Sequence, residues 1–235
     1  VRDFGWARAS LILRNSGRVG GDLVGSFRVD DDRVAVYSID VSGHGVASAM
    51  MTARLAGFLT GSSPDQNLAY DKSPTGAQVL LPPDAVAERF NRLMLEEIQA
   101  EQYFTMVFAI VDRALGTVSL SQAGHPHPYI LRGDGGVQTL GQGGLPIGLI
   151  PGAGYDSYHA DIAPGDRLLL VSDGFTECPL PSGQDFGEEG MLLSLRRSAH
   201  LSGADLLEAL VWDLSQQSGS DSFPDDVSGI VLDLL

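Results

Sequence analysis

The chain has 235 residues, 43% of them hydrophobic, enough to bury a substantial core in one large domain or two small ones. Its formal net charge of −15 repels phosphate backbones, which argues against nucleic acid and anionic membrane surfaces as partners. One cysteine, Cys178, excludes an internal disulfide and suits a reducing cytoplasm, and no apolar run approaches the roughly 18 residues a bilayer crossing needs.

The N-terminus, Val1-Arg2-Asp3-Phe4-Gly5-Trp6, has no signal-peptide pattern and no initiating Met, so the chain reads as a domain excised from a longer protein. Ala9 to Leu13 is a strand candidate. Leu23 to Val29 alternates around glycine and ends in Asp30-Asp31-Asp32, the composition of a turn. Arg33 to Asp40, rich in Val, Tyr and Ile, is a third strand that stops on an Asp. Glycines then open a Pro-free run from Val46 to Leu59 that predicts a helix. Its small residues suit close packing on a sheet, and Met50-Met51 read as core. Gly61 to Leu81, with its Gly, Ser, Pro, Asp and Asn, predicts a long loop insertion. Pro83 and Asp84 start a second helix to about Ala100, with Val86, Phe90, Leu93, Met94 and Ile98 near helical spacing.

A second strand-rich stretch follows. Thr105 to Val111 is almost wholly apolar, and Thr117 to Gln122 alternates. Tyr129 to Leu131 leads through Gly133-Asp134-Gly135-Gly136 to Val137 to Leu140, a hairpin signal. Tyr155 to Ile162 and Arg167 to Val171 are further strands, the latter after a Pro164-Gly165-Asp166 turn. Helices are predicted over Glu188 to Ala199 and Ala204 to Gln217, with Ser202 and Asp205 as a capping box for the second. Gly229 to Leu235 closes the chain as an apolar strand. Long strand runs with helices grouped in pairs fit an α+β fold better than a parallel βαβ sheet. Strands apolar on both faces need cover on both sides, which two packed sheets with helices outside each supply. No repeat or linker divides residues 1–235, so a single domain is expected.

The chemistry lies in four short acidic motifs spread along the chain: Gly20-Gly21-Asp22, Asp40-Val41-Ser42-Gly43-His44-Gly45, Ser172-Asp173-Gly174 and Asp225-Asp226-Val227-Ser228. Each puts an Asp at the end of an apolar run or beside a glycine, where it can point into a shared cleft. Oxygen-only ligands favour Mg²⁺ or Mn²⁺ over zinc. Other aspartates, Asp166, Asp134 and Asp112, have the simpler setting of turn caps. His125 and His127, flanking Pro126, read as a turn between strands. His44 is a candidate general acid whose simpler role is to shape the glycine turn before the helix. Cys178 reads as a small loop residue.

In order, Gly-Gly-Asp, Asp-Val-Ser-Gly-His-Gly, Ala-Gly-His-Pro, Pro-Gly-Asp-Arg-Leu-Leu-Leu-Val-Ser-Asp-Gly and Asp-Asp-Val-Ser resemble the SpoIIE/RsbU-type bacterial branch of the PPM phosphatases, from about Gly20 to Leu232. These are metal-dependent, type 2C-like serine/threonine phosphatases. The resemblance implies a four-layer αββα sandwich of two antiparallel sheets, with two Mn²⁺ or Mg²⁺ ions, and room for a third, at one edge. Carried onto this sequence, it implies that Asp40 bridges the ions, that the Val41 backbone carbonyl binds the first, and that Asp22, Asp173 and Asp225 complete the site. Asp22 and Asp40 thereby carry the catalysis. Asp226 is a further candidate ligand, and Gly21, Gly43 and Gly174 are supporting glycines. Two cations roughly 3.5–4 Å apart would neutralise a phosphate monoester and activate a bridging water for in-line attack.

The implied substrate is a phosphoserine or phosphothreonine on a STAS-domain protein of the anti-sigma-factor-antagonist type. An upstream sensor or receiver module, a homodimer and a cytoplasmic location, free or as the cytoplasmic domain of a membrane-bound sensor, go with it. Eukaryotic type 2C enzymes place a phosphate-gripping Arg near the N-terminus, and Arg8 and Arg14 lie in that region. The alternative is a catalytically silent binding module on the same fold, against which the full set of aspartates weighs. A structural Ca²⁺-binding domain fits less well, because calcium loops gather their ligands locally.

Overall fold

The computed structural model describes residues 1–17, 19–43, 45–59, 66–98 and 101–235. The strands are β1 (Arg2–Asp3), β2 (Ala7–Arg14), β3 (Asp22–Arg28), β4 (Arg33–Val41), β5 (Tyr70–Lys72), β6 (Gln78–Leu80), β7 (Phe104–Asp112), β8 (Thr117–Ala123), β9 (Tyr129–Leu131), β10 (Val137–Thr139), β11 (Tyr158–Asp161), β12 (Arg167–Val171) and β13 (Val227–Leu234). The helices are α1 (Val46–Phe58), α2 (Pro83–Arg92), α3 (Asp173–Thr176), α4 (Gly187–Arg197) and α5 (Gly203–Ser218). One sheet runs β1-β2-β13-β12-β9-β10 and the other β11-β8-β7-β4-β3. Strand pairs in both are antiparallel.

Three buried clusters define the layers. Between the sheets, Ala7, Ile130, Leu168, Leu170, Ile230 and Leu232 of the first sheet meet Val34, Val36, Val107, Ala109, Val118 and Leu120 of the second. On the outer face of the second sheet, Tyr37, Ile39, Phe104 and Phe108 pack against Met51 and Leu55 of α1 and Val86 and Phe90 of α2. On the outer face of the first, Leu169, Val171 and Val231 pack against Met191 and Leu195 of α4 and Leu206 and Leu210 of α5. The four layers are therefore helices, sheet, sheet, helices, as the two-sided apolar strands require.

The two-residue period of β4 places the site. Val34 and Val36 face the inter-sheet core, whereas Ala35, Tyr37, Ile39 and Val41 face the helices. Asp40 ends the inward row. It stands opposite Asp22 on β3 and opposite Thr105 on β7, so one rung across three strands reads Asp22, Asp40, Thr105. Ser172 and Ser228 continue the inward rows of β12 and β13 in the facing sheet. The site lies where these rows run out and the two sheets part.

Several local expectations change. Residues 61–65 of the predicted loop lie outside the described residues, but Tyr70–Lys72 and Gln78–Leu80 form an antiparallel hairpin and Ala69 is fully buried. The second helix is α-helical only to Arg92 and winds as a π-helix over Leu93–Ile98. Met51 is core, but Met50 is 70% exposed, because the helical turn rotates it outward. Ser202 is the N-cap of α5 without a side-chain hydrogen bond, so the capping box does not form; the Gly203 amide donates to Asp233 Oδ1 instead, at 3.2 Å. The turn aspartates behave as expected: Asp112, Asp134 and Asp166 accept the amides of Leu115, Gly136 and Gly133. Cys178 is buried and free.

Candidate functional site

Asp40, Val41, Asp173 and Asp225 line one cleft of about 730 Å³, together with Tyr103 and Thr105. Asp22 lies behind Asp40 and is 6% exposed. Four carboxylates far apart in sequence thus converge from three places: the paired ends of β3 and β4, the first residue of α3, and the loop entering β13.

Each is held by its backbone. The Gly21 carbonyl accepts the Val41 amide at 3.3 Å and the Thr52 hydroxyl at 2.7 Å, pinning the entry of β3 to α1. A Cβ on Gly21 would stand 2.8 Å from the Val41 carbonyl oxygen, so the glycine keeps that oxygen clear. A Cβ on Gly174 would fall inside the Asp226 carbonyl, so only glycine lets α3 start so close to β13. Gly43 has φ +85°, and the Ser42 amide donates to the Tyr103 carbonyl at 2.9 Å, which ties the loop after β4 to β7. His44 lies outside the described residues.

The carboxylates disturb one another. Burial first, and then the Asp40 charge, raises the Asp22 pKa, while the hydroxyls of Ser228 and Ser172 pull it back. Asp40 is raised by burial and then by the Asp225 charge. Asp173 is pushed up from 3.8 to about 7, by burial and then by Asp40 and Glu177. Among the described residues, Asp22 Oδ2 is buried without a hydrogen-bond partner. A buried anion facing other anions, with an orphaned oxygen, is the electrostatic setting that a divalent cation relieves.

The residues fit Mg²⁺ or Mn²⁺ in this sense. Among the described residues, no three His, Cys, Asp or Glu side chains close on one point to form a metal cage. Mg²⁺ does not need such a cage, because it keeps several waters and takes one or two carboxylates. Three candidates part from the group. Asp226 spends its carboxylate on the chain: Oδ1 accepts the Ser16 amide at 2.7 Å and Oδ2 the Gly21 amide at 2.9 Å. It therefore holds the loop that presents Asp22. Arg14 forms a two-pronged pair with Glu208 at 2.7 and 2.9 Å, and Arg8 pairs with Asp3, so neither lines the cleft.

No sequence motif marks Thr105 or Glu177, and Ser172 and Ser228 stand in the acidic motifs with no role of their own assigned. Thr105 carries the same signal as Asp40, a polar residue at the mouth of an inward apolar row, but weaker because hydroxyls are common in strands. The histidine turn between β8 and β9 is tied down by hydrogen bonds at both histidines. His125 is 3% exposed, and the Gln122 amide donates to its carbonyl at 2.6 Å, while His127 Nδ1 donates to the Leu140 carbonyl at 3.0 Å.

Residues 30–235 match the profile of the family described as Stage II sporulation protein E (SpoIIE). The chain belongs to the SpoIIE family. The SpoIIE match covers most of the chain, and with it the fold and family are those of PPM-type protein serine/threonine phosphatases. The chain is 27% identical over 220 residues to phosphoserine phosphatase RsbP of Bacillus subtilis, covering 93% of this chain and 50% of that protein. It is 26% identical over 208 residues to phosphoserine phosphatase RsbU of the same organism, covering 88% and 57%. The chain thus spans about half the length of these curated relatives. The SiaA PP2C domain of Pseudomonas aeruginosa superposes with a TM-score of 0.75 at 23% identity, over 96% of this chain and 84% of that one. At that identity the likeness speaks to the fold.

Proposed function

We propose that this domain hydrolyses phosphoserine or phosphothreonine on a regulatory protein with the help of Mn²⁺ or Mg²⁺. The observation that carries this is the rung of Asp22 and Asp40, joined in one cleft by Asp173 and Asp225. Asp40, Asp22, Asp173 and the Val41 carbonyl would hold the cations, with Asp225 at the rim. Bound cations supply neutralisation of the phosphate dianion and a more acidic attacking water. The chain's own part is placement. Asp226 and Thr52 fix the turn before Asp22, and Tyr103 fixes the loop after Val41.

The substrate class we favour is a phosphorylated STAS-domain-like protein, supported by the family match and by similarity to two phosphoserine phosphatases. Because the match covers 50% and 57% of those relatives, we also propose that a regulatory module precedes this domain in the whole protein. Homodimerisation and a cytoplasmic location complete the reading. Among the described residues no helix is long and apolar enough to cross a membrane.

The test is hydrolysis of an aryl phosphate and of a phosphoserine peptide during Mn²⁺ titration, with Asp173→Ala and Asp40→Asn alongside. Metal-dependent turnover lost in both variants is the expected result. Turnover that persists in both would move the chemistry elsewhere, and metal-independent turnover would end the cation reading.

A further inference from the structure

Thr105 closes the rung that begins with Asp22 and Asp40, and it lines the cleft. Its Oγ1 lies 2.8 Å from Nδ1 of His125, a ring with 3% exposure set behind the cleft wall. Either atom can donate in such a pair, so the rest of the ring decides. Among the described residues Nε2 makes no formed hydrogen bond, while the Val171 backbone acts on the ring and favours its protonated form, the sign of a carbonyl acceptor nearby. With Nδ1 engaged by Thr105, such an acceptor favours the neutral tautomer that carries its proton on Nε2. Burial holds the imidazole neutral, with its pKa pushed down to about 3. A neutral ring protonated on Nε2 leaves a bare lone pair on Nδ1.

From this geometry we infer that Thr105 donates its hydroxyl proton to His125 Nδ1 and turns its oxygen lone pairs toward the cleft, making it the positioning residue that orients the attacking water. The inference rests on the phosphatase reading above and deepens it. A phosphoryl group presents only acceptor oxygens, so a second acceptor beside Asp40 gains nothing from it. A water has protons to give, and holding one of them aims an oxygen lone pair at phosphorus. In the step, the water oxygen forms the new P–O bond, the bond from phosphorus to the serine Oγ breaks, and the water's protons end on the products. Thr105 and His125 neither gain nor lose a proton. His125 acts through Thr105 by fixing which way its hydroxyl points.

The experiment has two arms. In the first, the imidazole nitrogens of His125 are read by nitrogen-15 NMR in the intact domain without turnover. The expected spectrum shows Nε2 protonated and Nδ1 bare, with the Nδ1 signal moving in Thr105→Val. A proton on Nδ1 would overturn the proposal. In the second, Thr105→Val and Thr105→Ser are assayed with Mn²⁺ on an aryl phosphate, beside thermal melts. Thr105→Val is expected to lower kcat roughly tenfold, the scale of one lost neutral hydrogen bond, with KM little changed. Thr105→Ser, which keeps the hydroxyl, is expected to restore kcat. A folded Thr105→Val with wild-type kcat, or a Ser variant as slow as the Val one, would overturn the positioning role. A wild-type domain that hydrolyses no phosphate ester would sink the phosphatase reading instead, while the NMR arm still decides the direction of the bond.

Discussion

Asp22 on β3 and Asp40 on β4 stand directly opposite one another on the inner face of one sheet, with Asp22 Oδ2 buried and unpartnered among the described residues. Like charges facing across a strand pair oppose folding, and burial adds to the cost. Asp22→Asn removes one of the two charges at nearly constant volume. The metal-free variant is expected to melt above wild type, by roughly 2–4 °C for each kcal/mol relieved. It is also expected to lose the rise in melting temperature that Mn²⁺ gives the wild type. Paired thermal melts with and without Mn²⁺ check both; a lower metal-free melting temperature would show that the two charges do not oppose folding.

The same repulsion sets a pH dependence. Asp173 is raised from 3.8 to about 7 in the folded state, and Asp22 and Asp40 move the same way. The folded state therefore binds more protons than the unfolded one between about pH 4 and 7. The stability these groups contribute is full below the unfolded pKa and is lost as pH rises through the folded one. The metal-free domain should unfold at lower urea at pH 7.5 than at pH 5.5, and saturating Mg²⁺ should flatten or reverse that slope. Urea midpoints at the two pH values, with EDTA and with Mg²⁺, make the comparison.

Gly174 begins the α3 segment against the carbonyl of Asp226. Gly174→Ala forces a methyl group into that oxygen, and either α3 or β13 must give way. A loss of about 1–3 kcal/mol is expected, the usual range for overpacking. The Asp173 carboxylate should move with the segment, so weaker Mn²⁺ binding by calorimetry is expected alongside the lower urea midpoint.

Asp225 and Asp226 are neighbours with different duties. Asp226→Asn weakens the bonds that the Ser16 and Gly21 amides make to a charged acceptor, which should cost about 1.5–3 kcal/mol in the metal-free domain. Asp225→Asn keeps an acceptor oxygen for the Asp226 amide and sits exposed at the cleft rim, so metal-free stability should stay within about 0.5 kcal/mol. Its effect should appear in Mn²⁺ affinity. Urea midpoints and metal titrations of the pair separate the two roles, and equal effects on both readouts would contradict the division.

Much of this was legible along the chain. Strand and helix periods placed β2, β3, β4, β7, β8, β12 and β13 to within a few residues, because one-sided and two-sided burial leave different apolar patterns. The motif aspartates stood out because a carboxylate that ends an apolar row is costly unless it has a use. The pieces that escaped notice have no such pattern. The β5–β6 hairpin is too short to carry a period, and the π-helix over Leu93–Ile98 has the same residue types as an α-helix. Glu177 acts on the site through its charge on Asp40 and Asp173, which no motif announces.

Local chemistry is what a sequence states directly: which residues can be anions, where the chain must turn, and which strand faces are apolar. From that came the αββα layering and the four motifs. Distances between motifs are another matter, because they depend on strand register and on how two sheets meet. Only folding puts Asp22, Asp40 and Thr105 on one rung, and only folding turns Asp226 away to hold Ser16 and Gly21 while Asp225 beside it faces the cleft. Two adjacent aspartates are identical in composition and motif. Their opposite directions come from the two-residue alternation of the chain as it enters β13, and from the amides that happen to wait on one side of it.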